Sequence, residues 1–293
     1  ADVVIFFNFL KPNQVYNLRK ELGVEVMDRF GLILEIFAER AGSREAKLQI
    51  ELAKLKRELS FVREYINLRK RGELHGYLGG GKRAADAYYE YVVSRIAKIE
   101  GELHALRRSK SFRWHRREET GIYSIALTGY TGAGKTTLFT RLTGADGYVD
   151  GKPFATLSTK TRLMHLEGLP VLVSDTIGFI DSLPEQLLDA FYTTLGEITY
   201  SDLVLFIVDA SEELGEVQRK ILAGLSVLST LGVPKSRVIA VANKIDAAKE
   251  HLEDVLRLLK ALEFPEVVAI SAKHGLNLDS LRRAIRRNLP DRV

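Results

Sequence analysis

Apolar positions along the 293-residue chain follow two regimes. Between Leu48 and Leu106 they recur every three or four residues: Leu48, Leu52, Leu55, Leu59, Val62 and Ile66, then Ala85, Tyr89, Val92, Ile96, Ile99, Leu103 and Leu106. That spacing keeps one stripe of a helix apolar, so it predicts two long helices, each with a heptad seam. From Gly121 onward the stripes give way to short apolar runs at residues 122–127, 171–174, 203–208, 238–242 and 267–270. Helical stretches after Lys135, Pro184, Glu213, Ala247 and Leu278 alternate with them, and residues 161–166 read as a polar edge strand. Strands buried on both faces that alternate with helices predict a doubly wound α/β domain.

The amino-terminal run at residues 2–10 predicts another strand buried on both faces, whose sheet partners would lie upstream of Ala1. Lys11-Pro12 ends it, Asn13 to Leu22 reads as a helix closed by Gly23, residues 24–27 as a strand, and a helix starts at Asp28. The gap between the two seams, residues 69–83, holds five glycines and the five cations Arg69, Lys70, Arg71, Lys82 and Arg83. Two similar seams joined by a flexible link predict an antiparallel hairpin, although an intermolecular coiled coil or a bundle pair fits the same pattern. Helices of about 24–28 residues would carry the basic loop roughly 35–40 Å from the base, where glycine and cations suit a polyanion. Residues 109–118 lack periodicity and read as a linker; Trp114 within them fits a docking contact or an RNA-stacking residue equally. The expected division is 1–118 (an α/β part at 1–40, a hairpin at 42–108, the linker) and 119–293.

Composition narrows the chemistry. The chain has no cysteine, which excludes disulfides, thiolate metal sites, iron–sulfur clusters and cysteine catalysis. No apolar run approaches the ~18 residues of a membrane helix, and no secretory signal is visible, so a cytoplasmic protein is expected. The six histidines show no ligand spacing. Net charge is +5, unevenly held: residues 1–120 carry 24 Lys and Arg against 17 Asp and Glu, the remainder 19 against 21. The basic excess therefore belongs to the helical half, where it would attract nucleic acid or simply face solvent.

Directly after the run at 122–127 comes Gly129-Tyr130-Thr131-Gly132-Ala133-Gly134-Lys135-Thr136, followed by Thr137. This is G-x-x-x-x-G-K-[ST] between a predicted strand and a predicted helix. Its glycines let backbone N–H groups wrap phosphates at a helix N-terminus; Lys135 would bridge the β- and γ-phosphates and Thr136 would ligate Mg²⁺. Asp175-Thr-Ile-Gly178 closes a strand, with an acid suited to Mg²⁺ and a Gly178 N–H suited to the γ-phosphate. Asn243-Lys244-Ile-Asp246 closes another, and Asp246 can accept from the N1–H and amine that guanine has and adenine lacks. Ser271-Ala272-Lys273 follows the last strand, where its backbone can meet the guanine oxygen. Four motifs in this order, each at a strand's carboxyl end, predict a GTPase domain with its site where open α/β sheets place ligands.

That order resembles the Ras-like translation-factor GTPases. Phe154-Ala-Thr156-Leu157 with Thr161-Arg162, and Asp175-Thr-Ile-Gly-Phe-Ile180, resemble the HflX family of ribosome-associated GTPases more particularly. So do residues 28–38 (DRFGLILEIFA) and 41–53 (AGSREAKLQIELA). The resemblance implies a Ras-like P-loop GTPase domain preceded by a partial α/β lobe and a long antiparallel helical hairpin. It implies GTP as substrate, GDP as product, and Thr156 as the switch threonine that closes on Mg²⁺ and the γ-phosphate. It also implies binding to the large ribosomal subunit, a hairpin tip on ribosomal RNA, and splitting or recycling of stalled or idle ribosomes. A monomer is expected that needs no membrane and sits at the ribosome or a membrane periphery. A GTP-gated RNA-binding or ribosome-assembly factor, and a regulatory GTPase docked on a protein partner, are the alternatives. The chain departs from the family at the tip, where Gly79-Gly-Gly-Lys-Arg83 replaces the common Gly-Pro-Gly-Glu, and in its shorter amino-terminal α/β part.

In Ras-type enzymes the residue after D-x-x-G is a glutamine that orients the attacking water. Here it is Phe179, so the catalytic set reads Lys135, Thr156 and Gly178 without a water-orienting side chain. Arg162 is an arginine-finger candidate by proximity in sequence alone. Slow intrinsic hydrolysis stimulated by the ribosome is the expectation, and a buried switch anchor is a compatible reading of Phe179. Tyr88, Tyr89 and Tyr91, on the hairpin, are expected to pack.

Overall fold

The computed structural model describes residues 1–70, 81–144, 159–179, 195–248 and 251–291. Thr156 and Arg71 lie outside these residues, as do the side chains of Arg69, Lys70, Lys82 and Arg83. Two compact units divide the described chain, one holding Ala1–Ser109 and the other the residues from Lys110 onward.

In the first unit, β1 (Val3–Phe6) runs parallel to β2 (Glu25–Asp28). Between them α1 (Pro12–Leu22) starts on a proline and stops at Gly23, whose left-handed φ of 66° ends the helix. Asp28 caps α2 (Arg29–Arg40) by accepting the Gly31 N–H at 2.9 Å. The burial on both faces expected of the first strand is not met. Alternate β1 side chains are exposed, Ile5 by 52%, while among the described residues α1 packs on β2 and α2 on both strands.

The two seams lie on α3 (Arg44–Lys70) and α4 (Gly81–Glu119). Leu48, Leu52, Val92, Ile96, Ile99 and Leu103 form one buried cluster, so the seams meet each other within one chain. Arg44 pairs with Glu102 at 2.8 Å, Glu51 with Arg95 at 2.7 Å, and Glu58 with Tyr88. Partners fall on one helix as they rise on the other, which makes the hairpin antiparallel. The 27 residues of α3 span roughly 40 Å. Two expectations change here. Tyr88 and Tyr91 are exposed and stack on each other at 6.3 Å instead of packing inward. Residues 109–118 are also not an irregular linker, because α4 runs through them unbroken. Among the described side chains of this stretch Trp114 is the buried one, so no apolar stripe repeats through it in the sequence.

The second unit is a six-stranded sheet built from β3 (Tyr123–Gly129), β4 (Lys160–Leu166), β5 (Leu169–Asp175), β6 (Leu203–Asp209), β7 (Val238–Asn243) and β8 (Glu266–Ala269). Its order is β4-β5-β3-β6-β7-β8, with only the edge strand β4 antiparallel. Every residue of β3, β6 and β7 is buried, as continuous apolar runs require. On one face α5 (Lys135–Thr143) and α8 (Leu278–Asn288) bury Leu138, Leu142, Leu281 and Ile285 against Ile125, Leu127 and Leu205. Successive strand residues point to opposite faces, so Phe206 looks the other way, toward α6 (Leu214–Thr230). There Phe206 also stacks on Phe264, just past α7 (Leu252–Ala261), at 6.2 Å. The doubly wound α/β architecture is the one the sequence predicts.

Candidate functional site

The motif residues gather at the carboxyl ends of the parallel strands, beside the point where strand order reverses between β3 and β6. From β3 the chain bends through residues 129–134 into the N-terminus of α5, where orphan N–H donors suit an anion. Gly129 (φ 136°) and Gly134 (φ 95°) make that bend. A Cβ at Gly129 would lie 2.2 Å from the Ile207 carbonyl oxygen, and one at Gly134 2.3 Å from the Asn243 amide, so glycine is required twice over. Lys135 is buried, and its Nζ donates to the carbonyls of Gly129 at 3.0 Å and Tyr130 at 2.7 Å. Burial pushes its pKa down to about 8, against the opposing charge of Asp175. A phosphate beside so desolvated a cation would stabilise its charged form.

Thr136 Oγ1 donates at 2.8 Å to Oδ2 of Asp175, which is fully buried. Two hard oxygen donors at the phosphate end fit Mg²⁺, which keeps its other positions for phosphate and water. Among the described residues no group of three His, Asp or Glu side chains could hold a metal alone, so sharing of this kind is what the pair allows. Thr156, the third metal residue of the resemblance, lies outside the described residues.

Phe179 joins the D-x-x-G segment to the phosphate loop through its backbone. Its N–H donates to the Gly129 carbonyl at 3.0 Å, and the Thr131 N–H donates to the Phe179 carbonyl at 2.9 Å. Its ring is 3% exposed and packs toward Gly224 of α6, so it is a buried anchor. Gly178 lies tight against the loop: a Cβ there would come within 2.7 Å of Thr131 Oγ1 and 2.8 Å of Lys135 Nζ. Tyr130 is buried beneath Lys220 and Arg219, Gly132 is exposed in the loop, and Thr137 is half-buried on α5. Arg162 sits exposed on the edge strand β4, opposite Val173.

At the other end Asn243 ties two loops together. Its Nδ2 donates to the Ala133 carbonyl at 2.7 Å, and its Oδ1 accepts the Ala272 N–H at 2.9 Å. Lys244, with a left-handed φ of 65°, pairs with Asp209 at the end of β6. Asp246 Oδ1 is buried without a hydrogen-bond partner among the described residues, while Oδ2 lies 3.4 Å from His274 Nε2. The Ser271 hydroxyl, with the charges of His274 and Lys273, holds the Asp246 carboxyl below the usual carboxylate range against a desolvation that raises it. A buried acceptor that lacks a donor fits the N–H edge of a guanine.

Three contributors escaped the motif reading. Asp209 ends a strand as Asp175 does, and that position was legible. Arg141 braces the Ser271-Ala272-Lys273 turn by donating to the carbonyls of Ala272 at 3.2 Å and Lys273 at 2.7 Å, with no signal among the other basic residues. Glu197 accepts the Trp114 Nε1–H at 3.1 Å, and Trp114 stacks on Tyr200 at 4.3 Å. Of its two readings, Trp114 takes that of a docking contact within its own unit.

Family models account for most of the chain: a 50S ribosome-binding GTPase over residues 124–244, a GTP-binding GTPase middle region over 40–117, and a GTP-binding GTPase N-terminal region over 1–38. A GTPase HflX of Thermofilum pendens is 59% identical over 99% of this chain and 68% of its own length. One of Hyperthermus butylicus is 43% identical over 96% of this chain and 76% of its own. A crystal structure of a GTP-binding protein from Sulfolobus solfataricus in complex with GDP is 31% identical, covers 99% of this chain and 81% of its own, and superposes with a TM-score of 0.59. With identity this high along nearly its whole length, the chain belongs to the HflX family of GTPases.

Proposed function

We propose that this GTPase binds GTP with Mg²⁺ at the ends of β3, β5 and β7 and the turn after β8, and docks on the large ribosomal subunit through its basic hairpin. Ribosomal RNA is the surface the tip meets, and the outcome is the splitting or recycling of stalled or idle ribosomes. One observation carries the nucleotide half: Lys135, the Thr136–Asp175 pair and the orphan Asp246 oxygen all lie at the carboxyl ends of the strands, where Asn243, in the same motif as Asp246, bonds the phosphate loop at Ala133 and the base-side turn at Ala272. The partner is supported by the match over residues 124–244 and by the basic excess of residues 1–120.

In this reading Lys135 and the α5 N-terminus hold the phosphates, and Thr136, Asp175 and Thr156 would hold the metal. Bound there, the ion would neutralise charge on the β- and γ-phosphate oxygens. Gly178 senses the γ-phosphate through its N–H, and Asp246 selects guanine, with Lys244 and the 271–273 turn around the base. Phe179 supplies no polar side-chain atom, so unassisted turnover is slow and contact with the ribosome raises it. The protein acts as a cytoplasmic monomer; no helix among the described residues is long and apolar enough to cross a membrane.

The test is sedimentation with purified large subunits and a non-hydrolysable GTP analogue. Wild type should co-sediment. A variant combining Lys70→Ala, Arg71→Ala, Lys82→Ala and Arg83→Ala should bind less, with a shallower dependence on salt. Equal binding with an unchanged salt slope would remove the hairpin from the interface.

A further inference from the structure

Hydrolysis of GTP needs a group that holds the attacking water or steadies the charge on the γ-phosphoryl oxygens. Phe179 has no atom for that work, and its ring is buried away as an anchor. At the phosphate end Thr131 Oγ1 is buried and has no hydrogen-bond partner among the described residues, although leaving a buried hydroxyl unpaired is costly. Its surroundings are set on two sides. The Thr131 N–H is held by the Phe179 carbonyl at 2.9 Å. The point where a Gly178 Cβ would stand is 2.7 Å from Thr131 Oγ1 and 2.8 Å from Lys135 Nζ. Thr131, Gly178 and the Lys135 cation therefore border one small space. A β-branched residue there has few rotamers, so the hydroxyl is pre-aimed at little entropic cost.

We propose that Thr131 is a catalytic residue: its hydroxyl bonds the γ-phosphoryl group and the water attacking it, the role that glutamine fills in Ras-type enzymes. The inference rests on assigning the phosphate loop to GTP. In the step, the water oxygen forms its bond to the γ-phosphorus as the bond from phosphorus to the β–γ bridging oxygen breaks, its electron pair leaving with GDP. One water proton stays on the inorganic phosphate and the other passes to solvent. Thr131 keeps its own proton and acts only through hydrogen bonds.

Thr131→Val removes the hydroxyl and keeps the shape, whereas Thr131→Ser keeps the hydroxyl. Three readouts separate the possibilities: single-turnover GTP hydrolysis, affinity for a fluorescent GDP, and the gain in that affinity on adding aluminium fluoride, a planar mimic of the transferring phosphoryl group. Thr131→Val should lose roughly 10–10³-fold in hydrolysis rate, and a similar factor in the aluminium fluoride gain, with GDP affinity within about twofold of wild type. Thr131→Ser should stay within about threefold throughout. Wild-type hydrolysis in Thr131→Val overturns the proposal, as does equal impairment of Thr131→Ser or a matching loss of GDP affinity. Wild-type protein that binds no guanine nucleotide overturns instead the assignment of the loop, and the proposal with it.

Discussion

Trp114→Ala should lower the stability of the nucleotide-binding unit by about 3–5 kcal/mol, the usual cost of emptying a buried tryptophan site. The ring is 9% exposed and stacks on Tyr200 with centroids 4.3 Å apart and 20° between planes. It lies over Gly196, where a Cβ would come within 2.5 Å of Cη2. Its Nε1–H donates at 3.1 Å to buried Glu197, whose other oxygen accepts the Ser174 hydroxyl at 3.4 Å. Of the total, the stack accounts for about 0.5–1.5 kcal/mol and the bond to a carboxylate about 1.5–3 kcal/mol. Trp114→Phe separates the two, because it keeps a ring against Tyr200 and drops the donor; it should cost about 1.5–3 kcal/mol. The bonds continue from Ser174 to Thr161 at 2.9 Å, and Ser174 immediately precedes Asp175, so the damage reaches the phosphate end. Thermal unfolding followed by circular dichroism is the assay. At about 2–4 °C per kcal/mol for a unit of this size, the alanine variant should unfold roughly 6–20 °C lower. The chain has one tryptophan, so its fluorescence reports on this place alone, and Gly196→Ala should red-shift it by displacing the ring. An alanine variant that unfolds within about 2 °C of wild type while binding RNA less well would refute this reasoning and make Trp114 a base-stacking residue.

Two further outcomes follow from the site. Burial holds Lys135 at about 8 in the nucleotide-free protein, and phosphate must raise it, so binding takes up a proton above that pH. GDP affinity should fall as pH rises past about 8, by up to ~1.4 kcal/mol per unit, until the pKa of the complex is reached. Nucleotide-free stability moves oppositely: the unfolded lysine, near 10.5, binds more protons than the folded one, so stability rises between about 8 and 10.5. Calorimetry in buffers of different ionisation enthalpy measures the uptake, and an affinity that is flat from about pH 7 to 9.5 contradicts it. Asn243→Ala would leave the Ala133 carbonyl and the Ala272 N–H without their partner, at a cost of about 2–4 kcal/mol. Its GDP affinity should fall too, since one amide positions both the phosphate loop and the base-side turn; thermal unfolding with GDP titration checks both, and an unchanged unfolding temperature contradicts the first.

Local order along the chain is enough to determine the strands, the two long helices and the nucleotide motifs, whereas the pairing of the two seams within one chain was decided only by the fold. Runs such as residues 203–208 read as strands buried on both faces, the two seams read as helices, and the spacing of Gly129, Gly134, Lys135 and Thr136 marks a phosphate loop. What it misread depended on neighbours far along the chain. Residues 109–118 look like a linker because no apolar stripe repeats through them, and Glu197 and Tyr200, the partners of buried Trp114, stand some 80 residues away. The first strand reads as buried on both faces because apolar runs encode the wish to be covered, and only packing shows which face is. Phe179 shows the division most plainly. Its identity announced a missing glutamine, but only the folded chain showed its ring anchored near α6, its backbone tying the loop, and the unpartnered Thr131 hydroxyl beside Gly178. Local propensity and motif chemistry are written in adjacent residues; the pairing of buried polar atoms is decided between distant ones, and appears only once the chain has closed around them.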